Sequence, residues 1–324
     1  MPKPRHSSLR ILGAVALAAG LVLILTSLAV AAADDAPKPL SASLPWWAWV
    51  LLLFVLSFFL GVVSLLGGMG GGTLFVAIVG GFFPFHLDFV RGASLMVALS
   101  GALSAGPGLL RYGMGDLRLS LPAALMTSTG AIAGALVGLQ LPAHIVQTAL
   151  GLTILGIAFI LARTKRAEYP SVPAADPLAR RLGLKGSYLD RATGEEIPWQ
   201  VHRTPLALLS FLAVGVMAGI FGIGGGWANT TILNLLMGAP LKVAVGTSKL
   251  IVALTDTSAT WIYLHRGAIL PIVVVPSILG MMLGSWAGVS ILVRIAPIRL
   301  RYIVIALLLF AGVRSLLKGL GVWP

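Results

Sequence analysis

Cysteine is absent from this sequence. That excludes disulfides and thiolate metal ligands, and it leaves the redox compartment unread. Carboxylates are almost as scarce. The only glutamates are Glu168, Glu195 and Glu196, all in one polar stretch. The only aspartates outside polar segments are Asp88, Asp116 and Asp256. A membrane-embedded enzyme draws its acid–base groups from carboxylates and histidines in its core, and the apolar regions here offer few. The chain therefore reads as a non-enzyme. Charge in general is sparse: 10% of the residues are charged and 58% are hydrophobic. Soluble domains carry about 25% charged residues.

What is present is a series of apolar runs near the ~20 residues that a helix needs to cross a bilayer. They are apolar throughout, without the alternation that marks a membrane β-strand. The fold class expected is an all-α polytopic membrane protein in a lipid bilayer. The net charge of +13 would suggest nucleic acid in a soluble protein. Here the basic residues sit in connecting loops, as the positive-inside rule expects. No zinc-finger spacing and no basic patch interleaved with aromatics occurs, so no nucleic-acid partner is expected.

Along the chain, residues 1–33 hold a basic start and the apolar run Ile11–Ala33, followed by Asp34 and Asp35. The run is longer than the usual signal core of about 7–15 residues. This favours a retained N-terminal membrane helix over a signal peptide; both readings put residue 34 outside. Residues 34–45 form an external linker, and Trp46, Trp47 and Trp49 resemble an interfacial aromatic belt. Residues 46–163 form a first membrane repeat, 164–203 a cytoplasmic polar loop or small amphipathic cap, and 204–324 a second membrane repeat.

The duplication rests on a single shift of 154 residues. Gly61 falls on Gly215, and Gly68 on Gly222. Gly70, Gly71 and Gly72 fall on Gly224, Gly225 and Gly226. Gly92, Ser94, Pro122, Gly130 and Gly134 fall on Gly246, Ser248, Pro276, Gly284 and Gly288. An odd number of segments per repeat inverts one half against the other. The short pieces 73–85 and 227–238 are the weak point. About thirteen residues span only ~20 Å as helix, so re-entrant arms stay open. Arg111, Arg118, Arg163 and Lys242 obey the charge rule in this topology, whereas Arg266, Arg314 and Lys318 violate it.

Paired glycine breaks in inverted repeats are a signature of secondary transporters. A broken helix leaves N–H groups unpaired, and lipid does not satisfy them. With the helix dipole they form an anion site. Glycine clusters also allow close helix packing, which is the plainer reading of any one cluster. A nucleotide loop does not fit: neither stretch has GxxxxGK[ST] spacing or a preceding strand. No cofactor and no metal are expected.

A second clue is Gly246-Thr247-Ser248-Lys249. A lysine inside an apolar helix is expensive and usually functional. Asp256 lies two turns further on the same face. The candidate substrate-binding residues are Gly70, Gly71, Gly72, Thr73, Ser94, Gly224, Gly225, Gly226, Asn229, Thr247, Ser248 and Lys249. Asp256 either tunes Lys249 or carries the coupling ion. Arg91, with His86 and Asp88 near it, precedes a core helix and reads first as a topology charge.

GGMGGG, its partner FGIGGGW, GTSK, and a helix ending Tyr263-Leu264-His265-Arg266-Gly267 together resemble the sulfite exporter TauE/SafE family over about residues 50–318. The resemblance implies a multi-pass protein of the bacterial inner membrane. It implies export or import of small anions, sulfite and organosulfur acids being the usual ones, driven by an ion gradient without ATP. Proton and sodium both stay open as the coupling ion, and a homodimer stays open as the assembly. A passive anion channel is the alternative, and a membrane-embedded enzyme acting on a lipid phosphate is a weaker one.

Overall fold

A computed structural model describes residues 45–67, 70–83, 85–163, 169–170, 172, 174–190, 194–292 and 301–322. The expected N-terminal helix or signal peptide at 1–33, nearly all of the linker at 34–45 and Gly68 lie outside the described residues. The chain is built from helices: α1 (Trp46–Leu66), α2 (Gly71–Phe82), α3 (Leu87–Arg111), α4 (Leu117–Gly138) and α5 (Ala143–Arg163). A polar segment follows with α6 (Pro177–Leu182), β1 (Lys185–Asp190) and β2 (Glu195–Gln200). Then come α7 (Thr204–Phe221), α8 (Gly226–Thr231), a π-helical turn Ile232–Leu236, α9 (Leu241–His265), α10 (Pro271–Leu292) and α11 (Arg301–Gly319). Six helices, α1, α3, α4, α5, α7 and α10, are long and apolar enough to cross a membrane. This is a multi-pass helical membrane protein. In lipid, helices satisfy every backbone group within the segment.

The shift read from the sequence reappears in the elements. α3 and α9 begin and end 154 residues apart, and so do α4 and α10. These related helices pack across the two halves in matching ways. α1 lies along α10, and α7 lies along α4. Small residues make that approach close. A side chain added at Gly284 would put its Cβ 2.8 Å from the carbonyl carbon of Phe58 in α1. One added at Gly130 would put it 2.9 Å from the Val216 nitrogen in α7.

The same contacts give directions. Passing from Phe54 to Leu65 in α1, the facing glycines of α10 advance from Gly280 to Gly288, so the two helices are parallel. α3 faces α10 the same way, with Gly101 on Met281 and Gly108 on Val289. α4 runs parallel to α9, with Asp116 bonded to Thr247 and Thr127 to Thr255. By contrast, Gly92 of α3 faces Ala268 beyond the end of α9, and Met114 faces Gly246 near its start. α3 and α9 are therefore antiparallel. α5 and α11 also oppose, through Gln147 with Ser315 and Gly312 with Ile154. The core thus holds two sets of three helices: α1, α3 and α10 run one way, and α4, α7 and α9 the other, with α3 and α9 packed where the sets meet.

Because α1 and α3 are parallel, the chain between them must return to the end where α1 began. The break and α2 together make that return. The second break, α8 and the π-helical turn do the same between α7 and α9. The short pieces thus preserve the odd parity. Arg314 and Lys318, which the sequence topology sets against the charge rule, pack onto α2. Arg314 Nε donates to Gly81 O at 2.7 Å and Lys318 Nζ to Gly80 O at 3.3 Å. Both carbonyls belong to the last turn of α2, where helix acceptors lack intrahelical partners.

The polar segment is more ordered than a loop. β1 and β2 form an antiparallel hairpin, and Tyr188, Asp190 and Trp199 turn inward. It sits at the end of the bundle where α7 and α9 begin; Lys242 Nζ pairs with Asp190 Oδ1 at 2.7 Å. Asp176 caps α6 and also accepts from the Thr204 hydroxyl at 2.8 Å, joining α6 to α7. Partial burial works to raise the Asp176 carboxyl. The Thr204 hydroxyl and N–H, with the N–H groups of Ala179 and Leu178, outweigh it and hold the group below its usual value. A depressed carboxylate contributes stability that is present above its ordinary pKa and lost as pH falls through the lowered one. Asp176→Ala is expected to destabilise this junction by ~1 kcal/mol at neutral pH, with the difference from wild type vanishing in strong acid. Melting curves at neutral and acid pH measure it.

Candidate functional site

The two glycine breaks meet inside the bundle. A Cβ added to Gly70 would lie 3.3 Å from Gly226 N and 3.4 Å from Gly226 Cα. α2 starts at Gly71 and α8 at Gly226, so two helix starts face each other there. Matching serines hold them. Ser94 Oγ donates to Gly72 O at 2.8 Å, and Ser248 Oγ donates to Gly226 O at 3.1 Å. The two serines and the two glycines are each 154 residues apart. Thr73 ties the halves together, donating from Oγ1 to Ile223 O at 2.7 Å. In the second break Gly222 and Gly224 have φ of +65° and +62°, a region that strongly favours glycine.

Around the second break lie polar groups of a different kind. Asp256 is fully buried, and neither carboxylate oxygen has a hydrogen-bond partner among the described residues. Its Oδ2 stands 3.2 Å from where a Cβ on Gly224 would be. Lys249 is 4% exposed and interacts electrostatically with Asp256. Asn229 is fully buried, and both amide atoms lack hydrogen-bond partners among the described residues. Its Nδ2 lies 3.0 Å from the Cβ position of Gly225. The Trp227 indole N–H is likewise buried and unmatched. Buried polar atoms are nearly always hydrogen-bonded in folded proteins. Here five unmatched ones belong to three residues in or beside the second break.

The structure thus brings Gly70, Gly71, Gly72, Thr73, Ser94, Gly224, Gly225, Gly226, Asn229 and Ser248 to the paired breaks. It sets Asp256 against the second, with Lys249 near enough to act on its charge. Thr247 is turned elsewhere: its hydroxyl accepts the Asp116 N–H at 3.1 Å, fastening the turn before α4. Two further residues belong to the site's surroundings. Trp227 stands where the first half has Thr73, and the thioether of Met281 packs on Gly71. The repeat itself pointed to Trp227; nothing in the sequence pointed to Met281. A cleft of about 720 Å³ lies apart from the breaks, on the hairpin beside Trp199 and Lys185. No group of three or more metal-ligating side chains occurs among the described residues.

Compared with known proteins, residues 53–315 match the sulfite exporter TauE/SafE family. The chain belongs to the sulfite exporter TauE/SafE family. The match runs from within α1 to within α11 and includes both breaks. Among curated proteins, it is 24% identical over 278 residues to Probable membrane transporter protein YunE of Bacillus subtilis (strain 168), covering 83% of this chain and 98% of that one. It is 26% identical over 237 residues to Probable membrane transporter protein ORF9 of a Sinorhizobium species, covering 73% and 80%. No solved structure matches at a significant level. The chain is therefore a member of a family of membrane transporters.

Proposed function

We propose that this transporter moves a small anion, sulfite or an organosulfur acid, by alternating access driven by an ion gradient, in the bacterial inner membrane. One observation carries the reading. Unmatched polar atoms of Asn229 and Asp256 lie against the second glycine break, buried Lys249 acts on the charge of Asp256, and the unmatched Trp227 indole belongs to the same short helix as Asn229. An ammonium, an amide and an indole N–H are donors suited to an oxyanion. The buried first turn of α2, across the break, adds N–H groups that lack intrahelical partners and a favourable dipole. Asp256, without a hydrogen-bond partner among the described residues and within electrostatic reach of Lys249, is the candidate carrier of the coupling proton or sodium. The antiparallel pairing of α3 with α9 and of α5 with α11 supports two inverted halves rocking about this point. We read the protein as a carrier without catalysis, in keeping with a family of membrane transporters.

The test is uptake of radiolabelled sulfite and thiosulfate by proteoliposomes under an imposed pH or sodium gradient. Saturable, gradient-driven uptake by wild type and its loss in Lys249→Gln are expected. Uptake that never saturates and ignores the gradients would make the protein a channel. No uptake of any small anion would refute the substrate class.

A further inference from the structure

Lys249 is not the only buried cation near the breaks. Arg91 is 1% exposed and lies in α3, in the first turns of the helix. It stands one turn before Ser94, the serine that holds Gly72, and its backbone presses on the second break. A Cβ at Gly222 would sit 2.7 Å from Arg91 Cα. The guanidinium is fixed on one side. Its Nη2 donates to Ile220 O, near the end of α7, and its Cζ lies 5.3 Å from the centre of the Tyr263 ring. The rest of the guanidinium makes fewer contacts. Nη1 donates to Asp88 Oδ1 at 2.7 Å, and the Nε–H has no partner among the described residues.

Asp88 differs from its partner in one respect: its side chain is 34% exposed. It sits one turn away on the same helix, beside His86, whose side chain is 58% exposed. A carboxylate reached by water, holding a buried guanidinium by one oxygen, occupies the place that an incoming oxyanion would take. The counterpart of Arg91 in the second half is Val245, and that of Lys249 in the first is Leu95. Each antiparallel central helix therefore contributes one buried cation near the breaks, at unrelated positions. A purely structural demand of the repeat would have placed them at related ones.

We propose that Arg91 is the anion-binding residue of the face opposite the hairpin: a small oxyanion enters there by replacing Asp88 on the guanidinium, then passes to the paired breaks. The inference rests on the anion-transport reading above. The ligand class is an oxyanion with at least two acceptor oxygens, such as sulfite, a sulfonate or a carboxylate, which suits a guanidinium fork and an ammonium less well. Ile220 O and Tyr263 keep the guanidinium in position, and the ligand takes its Nη1–Nη2 edge, where Nη2 has a second N–H besides the one given to Ile220 O.

The experiment is isothermal titration of detergent-purified wild type, Arg91→Lys and Asp88→Asn with sulfite, thiosulfate and sulfoacetate. Arg91→Lys keeps the charge and loses the fork, so the Kd is expected to rise about tenfold or more. Asp88→Asn removes the competing carboxylate, so the Kd is expected to fall about threefold or more. If Arg91 serves only to hold the end of α7, Arg91→Lys lowers the melting temperature and Asp88→Asn leaves the affinity unchanged. Equal affinities in wild type and Asp88→Asn would overturn the proposal and leave anion transport standing, and this arm decides even if Arg91→Lys fails to fold. No binding of any of the three anions by folded wild type would overturn both.

Discussion

Lys242→Met is expected to release the hairpin from the bundle. Lys242 and Asp190 are both buried, with side chains 3% and 0% exposed, and their charged atoms meet at 2.7 Å. The Tyr169 hydroxyl donates to the other carboxylate oxygen at 2.7 Å, and Tyr188 adds a longer contact at 3.4 Å. Methionine keeps most of the lysine's length, so packing at the first turn of α9 changes little. What it leaves behind is a carboxylate buried without its cation. Removing one partner of such a pair destabilises by ~3–5 kcal/mol. The hairpin docks through this pair together with its inward apolar side chains, so losing the pair weakens the docking directly. The expected result is rapid protease cleavage between residues 164 and 203, where wild type resists. Lys185→Met, at an exposed position of β1, should cleave like wild type. Adding Asp190→Leu to Lys242→Met should restore much of the resistance, because no charge then remains buried. Equal resistance in wild type and Lys242→Met would mean that the pair does not dock the hairpin.

Gly284→Val is expected to abolish the folded bundle. α1 and α10 approach so closely at this glycine that its Cβ would stand 2.8 Å from the Phe58 carbonyl carbon and 3.1 Å from Phe58 Cα. The obstacle is backbone, which does not rotate aside. The helices must separate along their shared length, and the small-residue contacts at Gly61 and Gly280 separate with them. Overpacking in a core usually destabilises by ~1–3 kcal/mol, where side chains are able to shift; here they are not, and the effect should exceed that range. Gly130→Val should behave alike, since Gly130 is the related glycine in α4 and meets α7 backbone. Gly156→Val serves as the control, because nothing lies within 4 Å of its Cβ position. Size-exclusion profiles after extraction should show a monodisperse peak for the control and aggregate for the two others. A monodisperse, heat-stable Gly284→Val protein would contradict the packing described.

Much of the bundle was legible because it is written twice. The register that joins Ser94 to Ser248 and Gly72 to Gly226 reappears as two matching hydrogen bonds. The related helices α3 and α9 even share their end points. The two uses of glycine were harder to separate in the sequence, and the structure divides them by position. Gly61, Gly130, Gly215 and Gly284 permit helix contact, while Gly70, Gly222, Gly224 and Gly226 form the breaks. What stayed hidden is tertiary. A basic residue near a helix end looks like a topology charge whether it meets water or a buried partner, so Arg91 and Lys242 gave no sign of their burial. Thr247 shares its motif with Ser248 and Lys249, yet successive helix residues point about 100° apart, and its hydroxyl fastens the turn before α4. The hairpin escaped notice because its strands are short and polar on one face, and their inward residues bury against the bundle instead of forming a core of their own.

The central claim is that the paired breaks bind a small anion through Lys249. The most direct measurement is the melting temperature of the detergent-purified protein across a panel of sulfite, sulfate, thiosulfate, sulfoacetate, taurine, acetate and phosphate, with Lys249→Gln in parallel. A ligand that binds only the folded state raises stability by RT ln(1 + [L]/Kd), which is ~2.7 kcal/mol at a hundredfold excess over Kd. The account predicts a concentration-dependent rise with at least one sulfur oxyanion in wild type and none in the variant. An equal rise in both, or no rise with any anion in folded wild type, would contradict it.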